Sequence, residues 1–359
     1  MISYAIIGSG MMGQEHIRNI QLQDGAVITA VADPDAGMRN LSAEMSGAQG
    51  FSDWREMVSA DIADAYVIAA PNDTHHEILL DLLPGNKPIL VEKPMCTTAA
   101  HCREAIAVAE GRNAPTWVAM EYRYMPPLQR MLDEIAAGAV GTRHMISIRE
   151  HRFPFLEKVG DWNRFSVRTG GTLVEKCCHF WDLMRLMMQS DPVRVFASAA
   201  GDVNHKDERY DGKVPDIIDN ALVVVDFENG NRGVLDLCMF AEGATWQETI
   251  TVTGATGHIE AHIPSNDAAK RPDAPHAYLS VSPRAGGERT IDVPVDPDVL
   301  NAGSHHGSTF YQHQRFAALV RDGGGVPEVS LEDGLWSVRI GEAAELSARE
   351  HRAVALSEI

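Results

Sequence analysis

The most constraining feature of the chain is a glycine-rich turn that directly follows its first apolar run, residues 4–8. The turn has the pattern G-x-G-x-x-G and consists of Gly8, Ser9, Gly10, Met11, Met12 and Gly13. A strand that passes through this pattern into a helix is typical of a dinucleotide-binding turn. The first glycine permits the tight turn, the second lets the backbone approach the pyrophosphate, and the third lets helix and strand pack closely. The helix begins at Met11 and Met12, and the backbone N–H groups of its first turn attract phosphate. The alternative is a glycine-rich turn that binds no ligand.

Short apolar runs alternate with helical stretches through the first 120 residues. Strands that are apolar throughout and separated by helices indicate a parallel sheet that is covered on both faces. This is the doubly wound α/β class, the Rossmann fold. The predicted strands are 4–8, 27–33, 64–70, 88–94 and 116–120, and the predicted helices are 11–22, 36–45, 73–83 and 98–110.

The chain changes character after Met120. Longer alternating segments follow from residue 144, with Asn229-Gly230 as a hairpin turn, and residues 309–356 return to helical patterning. A surface loop is predicted around 264–276. We therefore predict a dinucleotide-binding domain, 1–122, and a second α/β domain, 123–359, with a large, mostly antiparallel open sheet. The helical tail of the second domain is expected to pack back on the first.

Few helical stretches lie in the second half to cover the far face of the predicted antiparallel sheet. An uncovered apolar sheet face usually finds a partner. We therefore expect a homodimer or a homotetramer.

Composition narrows the classes of function. Lys and Arg number 31 against 50 Asp and Glu, a formal charge of −19, which argues against nucleic acid and against an anionic membrane as partners. No apolar run approaches the ~20 residues that span a bilayer, and the start of the chain has no pattern of a secretory signal. The five cysteines include no C-x-x-C pair, which is typical of reduced thiols and predicts a cytoplasmic protein.

Asp33 ends the second strand, 20 residues after Gly13. An acid at this place accepts hydrogen bonds from the adenosine ribose and repels a 2′-phosphate. It predicts NAD as the cofactor and makes NADP less favourable. The alternative is that Asp33 only begins a turn with Pro34 and Asp35.

Two further motifs follow strands at the edge of the sheet where such folds bind ligands. The first is formed by Ala70, Pro71, Asn72 and His75, and the second by Glu92, Lys93 and Pro94. Burying charge is costly, so a Glu-Lys pair at the end of an apolar strand indicates a functional role. The alternative is that Lys93 is a solvated strand cap.

These motifs, together with GGTLVEKCCHFWD at 170–182, resemble the glucose–fructose oxidoreductase/inositol dehydrogenase (Gfo/Idh/MocA) family over the whole chain. The resemblance implies an N-terminal Rossmann domain and a C-terminal α/β domain whose open sheet often mediates oligomerisation. It also implies a nicotinamide cofactor and a sugar, inositol or related polyol as the substrate.

The resemblance implies roles for individual residues. Lys93 matches the lysine of the family's E-K-P motif, and His179 matches the catalytic histidine of its D-x-G-x-H-x-x-D motif, which Asp182 closes. Glu121 lies where many members have a polar residue that faces the nicotinamide. The residues that are expected to contact the cofactor are Ala70, Pro71, Asn72, His75, Glu92 and Lys93.

Oxidation of a secondary alcohol needs a base for the hydroxyl proton, and histidine titrates near neutrality. Lys93 can donate to the same oxygen and stabilise alkoxide charge. Glu175 replaces the aspartate usual in inositol dehydrogenases; it precedes His179 by one helical turn and is expected to lie on the same face. The alternative is that Lys176, which replaces an apolar residue, has taken over the proton chemistry.

Substrate contacts are expected from the cleft side of the second domain. An aromatic ring suits the C–H face of a sugar, and arginine supplies fixed donors. The predicted contacts are Lys93, Arg123, Trp162, Arg164, Lys176, His179 and His306. The run 304–309 that contains His306 is alternatively a solvated loop with a helix cap. The histidine pairs at 75–76 and 305–306 do not supply the closely spaced ligands of a zinc site, so no metal is predicted.

The sequence therefore predicts an NAD(H)-dependent dehydrogenase that oxidises a secondary hydroxyl of a sugar, inositol or related polyol by hydride transfer to nicotinamide. Three alternatives remain: a redox-neutral, NAD-using glycoside-cleaving enzyme of the same family, an NADPH-dependent sugar reductase, and a non-enzymatic dinucleotide-binding sensor. Asp33 disfavours the reductase, and the presence of both Lys93 and His179 disfavours the sensor.

Overall fold

The structure is a computed structural model that describes residues 1–265, 268 and 275–359. The first sheet has six parallel strands, β1 Ile2–Ile7, β2 Ala26–Ala32, β3 Gln49–Phe51, β4 Ala65–Ile68, β5 Ile89–Val91 and β6 Thr116–Val118. Their spatial order is β3-β2-β1-β4-β5-β6. The accompanying helices are α1 Met11–Gln21, α2 Ala36–Ser46, α3 Trp54–Ser59, α4 His75–Leu82 and α5 Ala99–Val108. The order reverses between β1 and β4, and ligands bind beyond the carboxyl ends of strands at such a point.

The predicted α/β class is confirmed, with one pair of elements missed. The short strand β3 and the helix α3 lie between the second and third predicted strands. Two of the three residues of β3 are exposed. A strand this short and this exposed has no apolar run for sequence reasoning to detect.

The second sheet has nine strands, β7 Arg143–His151, β8 Pro192–Ala200, β9 Asn220–Phe227, β10 Arg232–Cys238, β11 Glu248–Gly254, β12 Gly257–Ile263, β13 Tyr278–Pro283, β14 Arg289–Asp292 and β15 Val354–Ala355. Their order is β14-β13-β12-β11-β7-β10-β9-β8-β15. All neighbours pair antiparallel except β7 and β10, which are parallel. The mostly antiparallel second sheet is thus confirmed.

The remaining helices are α6 Pro126–Ala136, α7 Ser166–Thr169, α8 Thr172–Glu175, α9 Cys178–Met188, α10 Pro297–Ala302, α11 Ser308–Arg321 and α12 Leu331–Glu350. The last residues differ from the helical prediction, because Val354 and Ala355 pair with Val195 and Arg194 of β8. The loop predicted around 264–276 lies largely outside the described residues. No helix in the described part of the chain is long and apolar enough to span a membrane.

One face of the second sheet is covered and the other is open. Along β9 the buried Val223 and Val225 alternate with Leu222 and Val224, whose exposed fractions are 58% and 45%. Phe196, opposite Val224 on β8, is 45% exposed. Helices α9 and α12 pack against the covered face. Because successive side chains of a strand point to opposite faces of the sheet, these strands place apolar side chains on both the covered and the open face.

The C-terminal helices contact both sheets. Phe316 of α11 is buried in the same core as Tyr4 and Trp117 of the first sheet. Glu342 of α12 accepts a hydrogen bond from the N–H of Ala99 at 3.0 Å, at the start of α5. These contacts hold the two sheets around a shared cleft. The predicted boundary between residues 122 and 123 stays a prediction.

Candidate active site

The glycine-rich turn joins β1 to α1 at the reversal of strand order. A Cβ at Gly8, whose φ is +94°, would lie 2.5 Å from the nitrogen of Ala70, and a Cβ at Gly13 would lie 2.0 Å from the oxygen of Gly8. Open space surrounds Gly10, which caps α1 without a side-chain hydrogen bond. The N–H groups of the first helical turn, which begins with Met11 and Met12, have no acceptor within the helix. This arrangement fits a phosphate ligand.

Asp33 is held beside this turn. Its Oδ2 accepts from the N–H of Ser9 at 2.7 Å and its Oδ1 from that of Asp35 at 2.8 Å. Arg39 donates to the carbonyl of Asp33 at 2.7 Å. The carboxylate therefore lies at the end of β2, where the ribose of a dinucleotide would bind. It also forms the turn with Pro34 and Asp35 that the sequence analysis gives as the alternative role of Asp33.

His75 links the turn that contains Ala70 to the turn that contains Pro94. Its ring nitrogens lie 2.9 Å from the carbonyl oxygens of Pro94 and Ala70. The sequence predicts a direct cofactor contact for His75. Because both nitrogens face backbone carbonyls, we assign it instead to holding the Ala70-Pro71-Asn72 turn against the turn after Lys93.

Glu92 is also directed into the protein. Its Oε1 lies 3.0 Å from Nε2 of His16, and Oε2 accepts from the N–H of Lys93 at 3.1 Å. His16 Nδ1 in turn lies 2.8 Å from Nε2 of His313 on α11. Glu92 is therefore a positioning residue for Lys93 and not the cofactor contact that the sequence predicts.

Lys93 and His179 reach the same cleft from the two sheets. The ammonium of Lys93 lies 3.4 Å from the carbonyl of Glu175, at the end of α8, and its charge acts on the buried His179. Burial opposes the charge on Lys93, but Cys178, Glu92 and Glu175 outweigh burial and raise the lysine's pKa above 10.5. Lys93 is thus a cation at neutral pH.

His179 is held as a neutral imidazole. Burial, followed by the charges of Lys93 and Lys176, lowers its pKa well below 6.5. Its ring stacks on Tyr122 with centroids 4.1 Å apart and planes 7° apart. Its Nδ1 has no hydrogen-bond partner among the described residues. A neutral, positioned imidazole of this kind can accept a proton.

Glu175 differs from its predicted arrangement. Helix α8 ends at Glu175 and α9 begins at Cys178, so Glu175 and His179 do not lie on one continuous helix. No hydrogen bond joins them within the described part, and Glu175 Oε2 has no partner there. Burial raises the carboxyl's pKa, against the opposing charges of Lys93 and Lys158. The ring of Tyr122, and not Glu175, orients His179.

The ammonium of Lys176 already has two partners within the protein. Its ammonium lies 2.8 Å from a carboxylate oxygen of Glu150 and donates to the hydroxyl of Tyr122 at 2.9 Å. Burial lowers its pKa. We therefore assign Lys176 to supporting Tyr122, and no longer to substrate contact or to the proton chemistry.

Glu121 pairs with His305, which is not among the predicted site residues. Its Oε1 lies 2.8 Å from Nδ1 of His305, and its Oε2 accepts from Thr309 at 2.6 Å. The predicted neighbour, His306, directs Nε2 to the carbonyl of Pro264 at 2.8 Å and is buried. Both histidines have left-handed backbone, a conformation that is uncommon for residues other than glycine, so the sequence does not show which of the two side chains faces Glu121.

Glu15, Glu121 and His305 bring possible metal-ligand atoms within 4.8 Å of one another. Glu15 Oε1 accepts from the N–H of Ser304 at 3.0 Å. It also lies 3.0 Å from the hydroxyl of Thr309, whose one proton is directed to Glu121 at the shorter distance of 2.6 Å. Each carboxylate thus has a protein donor, and the arrangement links α1 to α11.

Two predicted arginine contacts have structural partners. Arg123 forms a bidentate pair with Asp182, with distances of 2.6 and 2.5 Å. Arg164 is buried and its Nε lies 2.8 Å from Glu208. Neither guanidinium is free for a substrate, so we withdraw both as substrate contacts. Trp162 remains a candidate: it is partly buried, and the ammonium of Lys158 lies 5.6 Å from its ring.

Comparison with known proteins identifies the family. Residues 2–120 match the Gfo/Idh/MocA model described as an oxidoreductase family with an NAD-binding Rossmann fold, and residues 133–356 match the model of its C-terminal alpha/beta domain. The chain belongs to the Gfo/Idh/MocA oxidoreductase family. It is thus an oxidoreductase, and the family resemblance predicted from its motifs is confirmed.

Other family members are similar over most or all of this oxidoreductase. Myo-inositol 2-dehydrogenase of Thermotoga maritima is 24% identical over 365 residues, which cover 99% of this chain and 98% of that protein. The rhizopine catabolism protein MocA of Rhizobium meliloti is 29% identical over 260 residues, 72% of this chain and 77% of that one. Levoglucosan dehydrogenase, solved with NADH and levoglucosan, has the same fold, with a TM-score of 0.80 at 20% identity over 99% of both chains.

Proposed function

We propose that this oxidoreductase oxidises a secondary hydroxyl of a sugar, inositol or related polyol, with NAD as the hydride acceptor. The observation that carries the proposal is geometric: the ammonium of Lys93 lies 3.4 Å from the carbonyl of Glu175, and His179 follows four residues later with its ring stacked on Tyr122. Both side chains are next to a turn that fits a dinucleotide. The myo-inositol 2-dehydrogenase of Thermotoga maritima, which is similar to this chain over nearly its whole length, supports this substrate class.

The two side chains divide the acid–base work. Bound NAD, whose pyrophosphate the turn at Gly8, Gly10 and Gly13 would hold, would supply the hydride acceptor. His179 takes the proton of the substrate hydroxyl on its imidazole ring, whose pKa is held well below 6.5 by burial and the charges of Lys93 and Lys176. Lys93 donates a hydrogen bond to the same oxygen and stabilises the negative charge that develops there. Glu121 and Asn72 remain proposed contacts at the cofactor side of the cleft.

The test is a substrate screen. Inositols, aldoses, polyols, sugar acids and glycosides are incubated with the protein and NAD, and nicotinamide reduction is followed by absorbance. We expect stoichiometric NADH from at least one secondary alcohol. Cleavage of a glycoside without net NADH would favour the redox-neutral reaction instead, and dinucleotide binding without any turnover would favour a sensor.

NAD is expected to bind more tightly than NADP. Like-charge repulsion of ~1.4 kcal/mol between Asp33 and a 2′-phosphate corresponds to a preference of about tenfold. Titration calorimetry with both oxidised cofactors measures it. Asp33→Asn should narrow the preference, whereas Glu44→Gln, on the exposed side of α2, should leave it unchanged. Tighter binding of NADP by the unmodified protein would overturn the assignment.

We also propose that the protein is a homodimer or homotetramer. The exposed side chains of Phe196, Leu222 and Val224 form an apolar surface on the open sheet face, and such surfaces are commonly covered by a partner. A monomeric mass by light scattering at micromolar concentration would contradict this proposal.

A further inference from the structure

Lys158 is a cation of the cleft that the sequence motifs do not indicate. Its backbone is fixed, because its N–H donates to Asp161 Oδ1 at 3.2 Å and its carbonyl accepts from the N–H of Asp161 at 2.9 Å. Its ammonium lies 5.6 Å from the ring of Trp162. Within the described residues, no carboxylate lies at ion-pair distance from this ammonium.

Most neighbouring basic side chains do have such partners. Lys176 and Arg152 share Glu150, at 2.8 and 3.5 Å, and His305 lies 2.8 Å from Glu121. Among the described side chains named at this cleft, Lys93 and Lys158 are the two cations without an ion pair. The proposed chemistry uses Lys93 at the reacting oxygen, which leaves Lys158 without a counter-charge.

The position of Lys158 makes it available to a ligand in this cleft. The charges that act on it are those of Glu175, Lys93, Glu92 and Arg152, the residues at and around the proposed reaction centre. Burial is the largest influence and lowers the pKa of Lys158. The side chain is partly exposed, and no carboxylate of the described residues pairs with its ammonium, so an anion that enters the cleft would gain a charge partner there.

We propose that Lys158 binds a carboxylate of the substrate, so that the preferred substrates are polyhydroxy acids and not neutral sugars. The inference rests on the proposed dehydrogenase function and makes its substrate class specific. Lys93 would face the reacting hydroxyl, and Trp162, whose ring lies 5.6 Å from the ammonium of Lys158, would offer an aromatic face to the C–H groups of the substrate.

The kinetic test uses matched pairs of substrates. Aldonates and uronates are each compared with the neutral polyol or sugar of the same configuration, for the unmodified protein and for Lys158→Met, Lys158→Arg and the exposed control Lys213→Met. Loss of a charged hydrogen bond should raise KM for the acid by about 10–100-fold in Lys158→Met. The kcat/KM of the neutral partner should change by less than about threefold, Lys158→Arg should recover part of the loss, and Lys213→Met should behave as the unmodified protein.

A binding measurement separates this inference from the function on which it rests. Titration of the NADH-loaded protein with an aldonate or uronate reports carboxylate binding without turnover, and Lys158→Met should weaken it by a similar factor. Acids that bind through Lys158 while neither they nor any neutral sugar or polyol is oxidised would overturn the dehydrogenase proposal alone. Turnover that favours neutral substrates, or equal effects of Lys158→Met on both members of a pair, would overturn the carboxylate site alone.

Discussion

Lys93→Ala is expected to lower kcat by about 10²–10³-fold, because the developing alkoxide loses its charged donor. His179→Ala should lower kcat by about 10²–10⁴-fold through loss of the base. Neither side chain forms part of the glycine-rich turn, so NAD binding should change little in either variant. Steady-state kinetics, with cofactor titration as the accompanying measurement, checks both expectations.

The pH profile tests the division of roles between these residues. Because burial and the charge of Lys93 lower the pKa of His179 well below 6.5, the acid limb of kcat/KM should lie below pH 6.5. Lys93→Ala removes one of the charges that lower this pKa, so the limb should move to higher pH. His144→Ala, at an exposed position, serves as the control. Near-normal turnover in both Lys93→Ala and His179→Ala would show that the site is misplaced.

Arg123→Met is expected to reduce the free energy of unfolding by about 3–5 kcal/mol, since it leaves Asp182 buried without its bidentate partner. Arg194→Met breaks a pair with Asp226 that is largely exposed and should cost no more than about 1 kcal/mol. Urea denaturation of both variants gives the comparison.

The same pair of variants decides between two roles for Arg123. Arg123→Met combined with Asp182→Leu should recover much of the lost stability, because both buried charges are then gone. If Arg123→Met is as stable as Arg194→Met but raises KM for substrate, then the residue contacts substrate, as its sequence position first indicates.

Sequence patterns predict those features of this protein that are encoded by a few consecutive residues. The glycine turn, the apolar strands and the E-K-P motif are each contained within a few residues, and they identify the Rossmann sheet and Lys93. His179 follows from a motif of comparable length. The short strand β3 has no such pattern, because its pairing with Ala30, Val31 and Ala32 of β2 is set by the fold.

Two of the predicted substrate contacts have protein partners that are distant in sequence. Arg123 pairs with Asp182, which is 59 residues away, and Arg164 pairs with Glu208, which is 44 residues away. A charged residue near a motif has the same local pattern whether it faces a ligand or a buried counter-charge. Lys158 is the opposite case. It becomes a candidate for substrate binding only because no carboxylate of the described residues pairs with its ammonium.

Transfer of a label from substrate to cofactor tests the central claim most directly. A substrate identified by the screen is deuterated at the carbon that bears the reacting hydroxyl, and the released NADH is analysed by mass spectrometry and NMR. The account predicts one deuterium at C4 of the nicotinamide, one NADH per product, and loss of both signals in His179→Ala. Product that forms without net NADH, or NADH that carries no deuterium, would contradict it.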